Sequence, residues 1–234
     1  MSNINRGAIV RREWPHWVIL VGLFAASAVA WDRVPERIAT HWNIRGEVDG
    51  YGARLEGLLL VPLIALGMYL LLALLPRIDP ARANYASFSG PYVVIRAAFT
   101  TMMAGIHALL LATALGYAVN VGRWIPVGVG LLFIVLGNVL GKVRPNYFVG
   151  VRTPWTLGSA RSWEKTHRAG GRLFVIGGLG LAIAALIGQP WLFAIVGIAS
   201  GGALVWLIYY SYVEWRADPD RVPVTATKPD VEER

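Results

Sequence analysis

The chain has 234 residues, of which 56% are hydrophobic and 15% charged, with a mean hydropathy of +0.51. Soluble domains carry about 25% charged residues, so this sequence lacks the polar skin that a water-soluble fold of its size needs. Cysteine is absent, which excludes disulfides, thiolate metal sites and cysteine nucleophiles. The net charge of +8 is concentrated in particular connecting segments and reads as a topology signal, with no direct nucleic-acid binding implied.

The apolar residues fall in long blocks, not in a period of two or 3.6, and blocks of that length are the signature of membrane spans. The expected fold is all-α: a polytopic integral membrane protein with about six transmembrane helices. They are predicted at residues 15–31, 57–75, 93–119, 124–143, 171–188 and 191–212. Trp14, Trp17, Trp31, Trp124 and Trp191 stand at block edges, where amphipathic rings sit at the headgroup level. Two units are expected: a two-span unit, 15–75, with an outer loop at 32–56, and a four-span unit, 93–213, with a cytoplasmic loop at 142–172. The polar tail at 214–234, with Pro219, Pro223 and Pro229, is predicted to be disordered.

Seventeen of the 22 basic residues fall in the N-terminal segment, the second and fourth connections with the span ends beside them, and the tail, and five on the opposite side. The positive-inside rule then places both termini in the cytoplasm. Arg6, Arg11 and Arg12, the apolar run after them and Ala28-Val29-Ala30 also fit a cleaved signal peptide, but Trp31 and Asp32 end the run as a span would.

The outer loop carries Pro35, Thr40-His41-Trp42-Asn43, Gly46 and Asp49-Gly50-Tyr51-Gly52. Asp49-Gly50 is a turn signal, and the runs around it suit a small strand pair or a segment lying on the membrane. His41, Trp42, Asn43, Asp49 and Tyr51 form the candidate ligand-sensing set. Against it stands local hydrogen bonding of the loop to itself. A zinc site takes three or four protein ligands and this loop has one His, so no metal is expected.

The inner loop, residues 142–172, holds Asn146, Arg152-Thr153-Pro154-Trp155-Thr156, Trp163, Thr166-His167 and Gly170-Gly171. Two prolines argue against one continuous helix in its first part. Its second part suits a short helix capped by Ser159, with Glu164 and Arg168 paired at i,i+4 and Trp163, Thr166, His167 and Gly170 on one face. Gly170-Gly171 is expected to end or bend that helix. Asn146, Arg152, Trp155, Trp163 and His167 are the candidate coupling residues, and an interfacial helix with Trp163 in the headgroups and its basic residues on anionic lipid is the plainer alternative.

Three polar residues fall inside spans. Arg96 is placed to snorkel to the boundary, His107 to bond a neighbouring span, and Asn138, beside Gly137 and Gly141, to act between helices. All fourteen acidic residues lie in loops, tails or span edges, which argues against an ion-coupled pump. No nucleophile–base set and no cofactor pattern is legible, so an enzyme is not expected.

On these two loops the chain resembles the SdpI family of bacterial membrane proteins. The outer-loop residues resemble the uncharacterised domain at that family's N-terminus, and the inner-loop residues its C-terminal region. The resemblance runs from about the first span to the fifth. It implies six spans in the bacterial cytoplasmic (inner) membrane and a non-enzymatic immunity or signal-transduction role. Its implied partners are membrane lipid, an extracellular peptide toxin and a cytoplasmic transcriptional repressor. A small-solute transporter or channel using His107 and Asn138 stays open beside it; transporters commonly show internal repeats and broken helices, and no clear repeat is legible here.

Overall fold

The computed structural model describes residues 6–43 and 45–222, with side chains from residue 13 onward. Its elements are α1 (Arg6–Ala30), β1 (Arg37–Trp42), β2 (Val48–Ala53), α2 (Arg54–Ile78), α3 (Ser89–Ala114), α4 (Val121–Leu140), the single turn α5 (Pro154–Leu157), α6 (Ala160–Ile187) and α7 (Pro190–Arg216), with 3-10 turns at Trp31–Arg33 and Arg82–Phe88. Among the described residues, six helices are long and apolar enough to cross a membrane, so this is a multi-pass, all-α membrane protein. With no water in the bilayer core, a helix satisfies its backbone polar groups internally, which is why these apolar blocks become helices.

Two compact units interleave along the chain. One takes residues 1–74, 96–132 and 181–189, and the other 75–95, 133–180 and 190–234. In the first, Leu20, Leu23, Ala65 and Tyr69 pack together, and Ala30, Val34, Ile38, Leu58, Val61 and Leu110 form a second cluster. In the second, Tyr85, Phe88 and Tyr92 cluster, Phe88 tilted against Tyr85 at 4.8 Å between centroids and Tyr92 edge-on to Tyr85 at 5.1 Å.

Three local expectations change. The helix containing Gly170-Gly171 neither ends nor bends there, because α6 runs unbroken for 28 residues. Gly171 serves close packing instead: a Cβ on it would lie 2.6 Å from the Gly137 carbonyl oxygen, and a Cβ on Gly137 would lie 2.5 Å from that of Gly171. The tail is ordered further than expected. α7 continues to Arg216, and the Val222 amide donates to the Gly158 carbonyl at 2.9 Å. The rest of the expected tail, residues 223–234, lies outside the described residues. Asp49-Gly50, finally, is not the turn but part of β2.

Candidate functional site

β1 and β2 pair antiparallel, with Arg37 opposite Ala53, Ile38 opposite Gly52 and His41 opposite Gly50. The turn closes between Asn43 and Glu47, and in it Gly46 takes φ +78°, a conformation that favours glycine. Asn43 shapes it: its Oδ1 accepts from the Arg45 and Glu47 amides at 2.8 and 3.1 Å, and its Nδ2 donates to Glu47 Oε2 at 2.8 Å. Gly50 is needed for register, since a Cβ there would lie 2.9 Å from the His41 Cβ.

The hairpin is anchored through an apolar side chain. Ile38 is 2% exposed and sits against Gly57 of α2, where a Cβ would lie 2.3 Å from its Cδ1. On the open side, His41 Nδ1 meets Asp49 Oδ1 at 2.5 Å, and Tyr51 is 57% exposed. Trp42 is half-buried and, with Thr40, roofs an apolar cavity of about 230 Å³ floored by Leu60, Val61, Leu110 and Ile125. Of the five candidate residues, His41, Asp49 and Tyr51 present free polar or aromatic surface, Trp42 is shared between cavity and surface, and Asn43 is spent on the turn. No cluster of three metal-ligating side chains occurs among the described residues.

The 143–159 segment is built the opposite way, from buried polar groups. Asn146 is 1% exposed; its Nδ2 donates to the Arg144 and Val149 carbonyls, both at 2.9 Å, and its Oδ1 accepts from the Phe148 and Val149 amides. His167 is fully buried. Its Nδ1 donates to the Trp163 carbonyl at 2.8 Å, so its Nε2 is free to accept from the Val151 amide at 3.0 Å. Gly150, at φ +115°, lets the backbone approach so closely that a Cβ would lie 2.2 Å from that Nε2. Trp163 stacks on His167 with centroids 4.0 Å apart and donates to the Val143 carbonyl at 2.8 Å. The headgroup placement considered for Trp163 is therefore wrong: the ring is 2% exposed and holds the segment to its helix.

Thr153 and Thr156 form a capping box that opens α5. Ser159 caps α6, accepting from the Ser162 amide at 2.9 Å, and donates to Asp218 Oδ2 at 2.5 Å. That hydrogen bond, with Arg161 nearby, holds the Asp218 carboxyl below the usual aspartate range. Arg152 remains exposed and donates to the Tyr147 carbonyl at 2.6 Å, while Trp155 lies edge-on to Tyr212 at 5.4 Å.

Within the spans, Arg96 reaches a partner at the edge of the first span. It is 7% exposed, makes two hydrogen bonds to the Glu13 carboxylate at 2.7 and 2.6 Å, and lies over the Tyr69 ring. His107 bonds a neighbouring span as expected, through Ser27 Oγ at 3.0 Å, and Ser27 donates onward to the Leu58 carbonyl at 2.7 Å. Asn138 spends its amide nitrogen within its own helix: it is exposed and donates to the Ile134 carbonyl at 2.8 Å.

Several organising residues went unremarked in the sequence. Asp79, 1% exposed, accepts from Tyr85 Oη at 2.9 Å, the Tyr147 amide at 3.1 Å and the Ala81 amide at 2.7 Å. Glu214 pairs with Arg161 and Lys165 at 2.9 and 3.3 Å. The legible hint for Asp79 was an acidic residue before Pro80 at a helix end, where nothing local needs its charge.

Residues 142–210 match the SdpI/YfhL protein family, and residues 18–66 match a domain of unknown function (DUF1648). The chain is similar to the Immunity protein SdpI of Bacillus subtilis (strain 168), at 27% identity over 199 residues, covering 83% of this chain and 92% of that protein. No solved structure matches it.

Proposed function

We propose that this chain, which belongs to the SdpI/YfhL family with an N-terminal DUF1648 segment, is a non-enzymatic immunity protein of the bacterial cytoplasmic membrane that protects its cell from an extracellular peptide toxin. The similarity to Immunity protein SdpI, over 83% of this chain and 92% of that protein, carries the reading. The hairpin supports it: a small, anchored outer platform offers His41, Asp49 and Tyr51 with Trp42 beside them. It is nearly neutral, so recognition there depends on shape and aromatic contact more than on long-range charge. The orientation follows the positive-inside rule, with both termini and the 143–159 segment in the cytoplasm.

Signal output is assigned to the second region. Its exposed Arg152, Tyr147, Phe148 and Leu157 offer a surface for a cytoplasmic partner such as a transcriptional repressor. The transport alternative relied on His107 and Asn138, and both spend hydrogen bonds on Ser27 and Ile134.

The test is survival, or reporter output, of cells challenged with the cognate toxin. A His41→Ala/Asp49→Ala/Tyr51→Ala variant that accumulates normally should lose protection; full protection would remove the hairpin from the mechanism. Arg152→Ala should impair output at normal accumulation. Single cysteines at Arg45, Leu157 and Gln189, all exposed, test the orientation in this cysteine-free chain. An impermeant thiol reagent should label the first and third in intact cells, and labelling at 157 would reverse the topology.

A further inference from the structure

The crossing of α4 and α6 has a property that the immunity reading does not use. Gly137 and Gly171 bring the two backbones into direct contact, and Gly141 lies close to Arg168, with a Cβ there 3.4 Å from the Arg168 Cα. With no side-chain layer at the crossing, the residues flanking it are drawn toward one groove. From α4 and the turn after it come Asn138 and Lys142, four residues apart; from α6 come Arg168, Arg172 and Ile176, at i, i+4 and i+8 on one stripe. The groove measures about 640 Å³, within the range of ligand sites.

Its chemistry is graded along the helices. Lys142, Arg168 and Arg172 line the polar end, and Val175 and Ile176 lie about one turn further into the apolar part of α6. Glu164 pairs with Arg168. Lys142 and Arg172 have no carboxylate within 4.0 Å among the described residues. Two uncompensated cations thus share a groove with a third, an arrangement that repels itself and that a bound anion relieves. Asn138, with its amide nitrogen bonded to Ile134, turns one more polar side chain toward the same space.

We propose that this groove binds one anionic phospholipid, its phosphate among Lys142, Arg168 and Arg172 and an acyl chain along Val175 and Ile176. Charge complementarity selects the headgroup, and the apolar floor on a membrane-spanning helix selects a chain-bearing ligand over a free phosphate.

Native mass spectrometry of the full chain in detergent tests this, with dioleoyl-phosphatidylglycerol, dioleoyl-phosphatidylcholine and glycerol 3-phosphate titrated separately. Phosphatidylglycerol should bind at one tight site, about 25-fold or more tighter than phosphatidylcholine, as expected for two or more basic contacts at about fivefold each. Lys142→Ala/Arg172→Ala should weaken phosphatidylglycerol by about 25-fold and leave phosphatidylcholine unchanged, and the single Lys142→Gln should weaken it about fivefold. Both residues are exposed and unpaired, so neither variant should disturb the fold, and the thermal midpoint checks this. Arg33→Ala/Arg123→Ala, which removes two charges elsewhere, should change binding less than about twofold. Unchanged affinity in the double variant overturns the proposal. So does an equal loss in the Arg33/Arg123 control, which would show a general charge effect. Glycerol 3-phosphate binding as tightly as phosphatidylglycerol also overturns it, since the groove would then be an anion site without a lipid chain.

Discussion

The hairpin at residues 37–53 and the segment at 143–159 are both rich in the polar and aromatic residues that drew attention in the sequence, and they use them in opposite ways. In the hairpin an apolar side chain, Ile38, does the anchoring, and His41, Asp49 and Tyr51 are left in the open. In the 143–159 segment the polar groups do the anchoring: Asn146, Thr156 and His167 are at most 1% exposed, and each closes backbone groups that strand pairing or helix would otherwise satisfy. A motif residue is therefore free to meet a partner only where something else holds the fold.

Substitutions can break this contrast. The largest effect should be Trp163→Ala, which removes a fully buried indole and its hydrogen bond to Val143. A loss of about 3–5 kcal/mol is expected, seen as loss of the monodisperse peak on heating in detergent. Gly150→Ala should be comparably disruptive, and a normal melting profile would show that the close approach to His167 is dispensable. His167→Ala comes next, at about 1–3 kcal/mol, because it strands the Val151 amide. Activity and accumulation should fall together in that variant. A variant that accumulates fully but lacks activity would move His167 from anchoring to coupling.

The Ser159–Asp218 bond should appear as a pH effect. Its folded-state carboxyl titrates below the unfolded value, so its contribution is complete above about pH 4 and lost as the pH falls through the folded value. Thermal midpoints between pH 7 and pH 3 should fall less steeply in Ser159→Ala than in the parent. Smallest are the exposed pairs. His41→Ala, Asp49→Ala and Glu164→Ala should each change stability by less than about 1 kcal/mol, and under the proposed function the first two should also weaken protection. A melting loss of several kcal/mol in the hairpin variants would erase the contrast drawn here.

The six helices were readable because a span announces itself in contiguous residues. So were the strand pair, the Ser159 cap and the Glu164–Arg168 pair, whose partners lie within a few positions of each other. What escaped depends on distant partners. The partner of Arg96, Glu13, is 83 residues away, Asp79 serves an amide 68 residues on, and Ser159 meets Asp218 across 59. Asp49-Gly50 was misread for another reason: glycine answers both a turn's need for positive φ and a strand's need for space, and only the facing His41 distinguishes them. Asn138 looked shared between helices, but an asparagine in a span can also bond its own preceding turn.

The Glu13–Arg96 pair also sets an order of assembly. At a synthesis rate of about 5–20 residues per second, Glu13 emerges roughly 4–17 s before Arg96. During that interval α1 has no cation from α3 to settle its carboxylate, so it must hold Glu13 at the membrane surface or keep it neutral. The ion pair can close only once α3 has been made, so α1 waits for α3 before its final position is set.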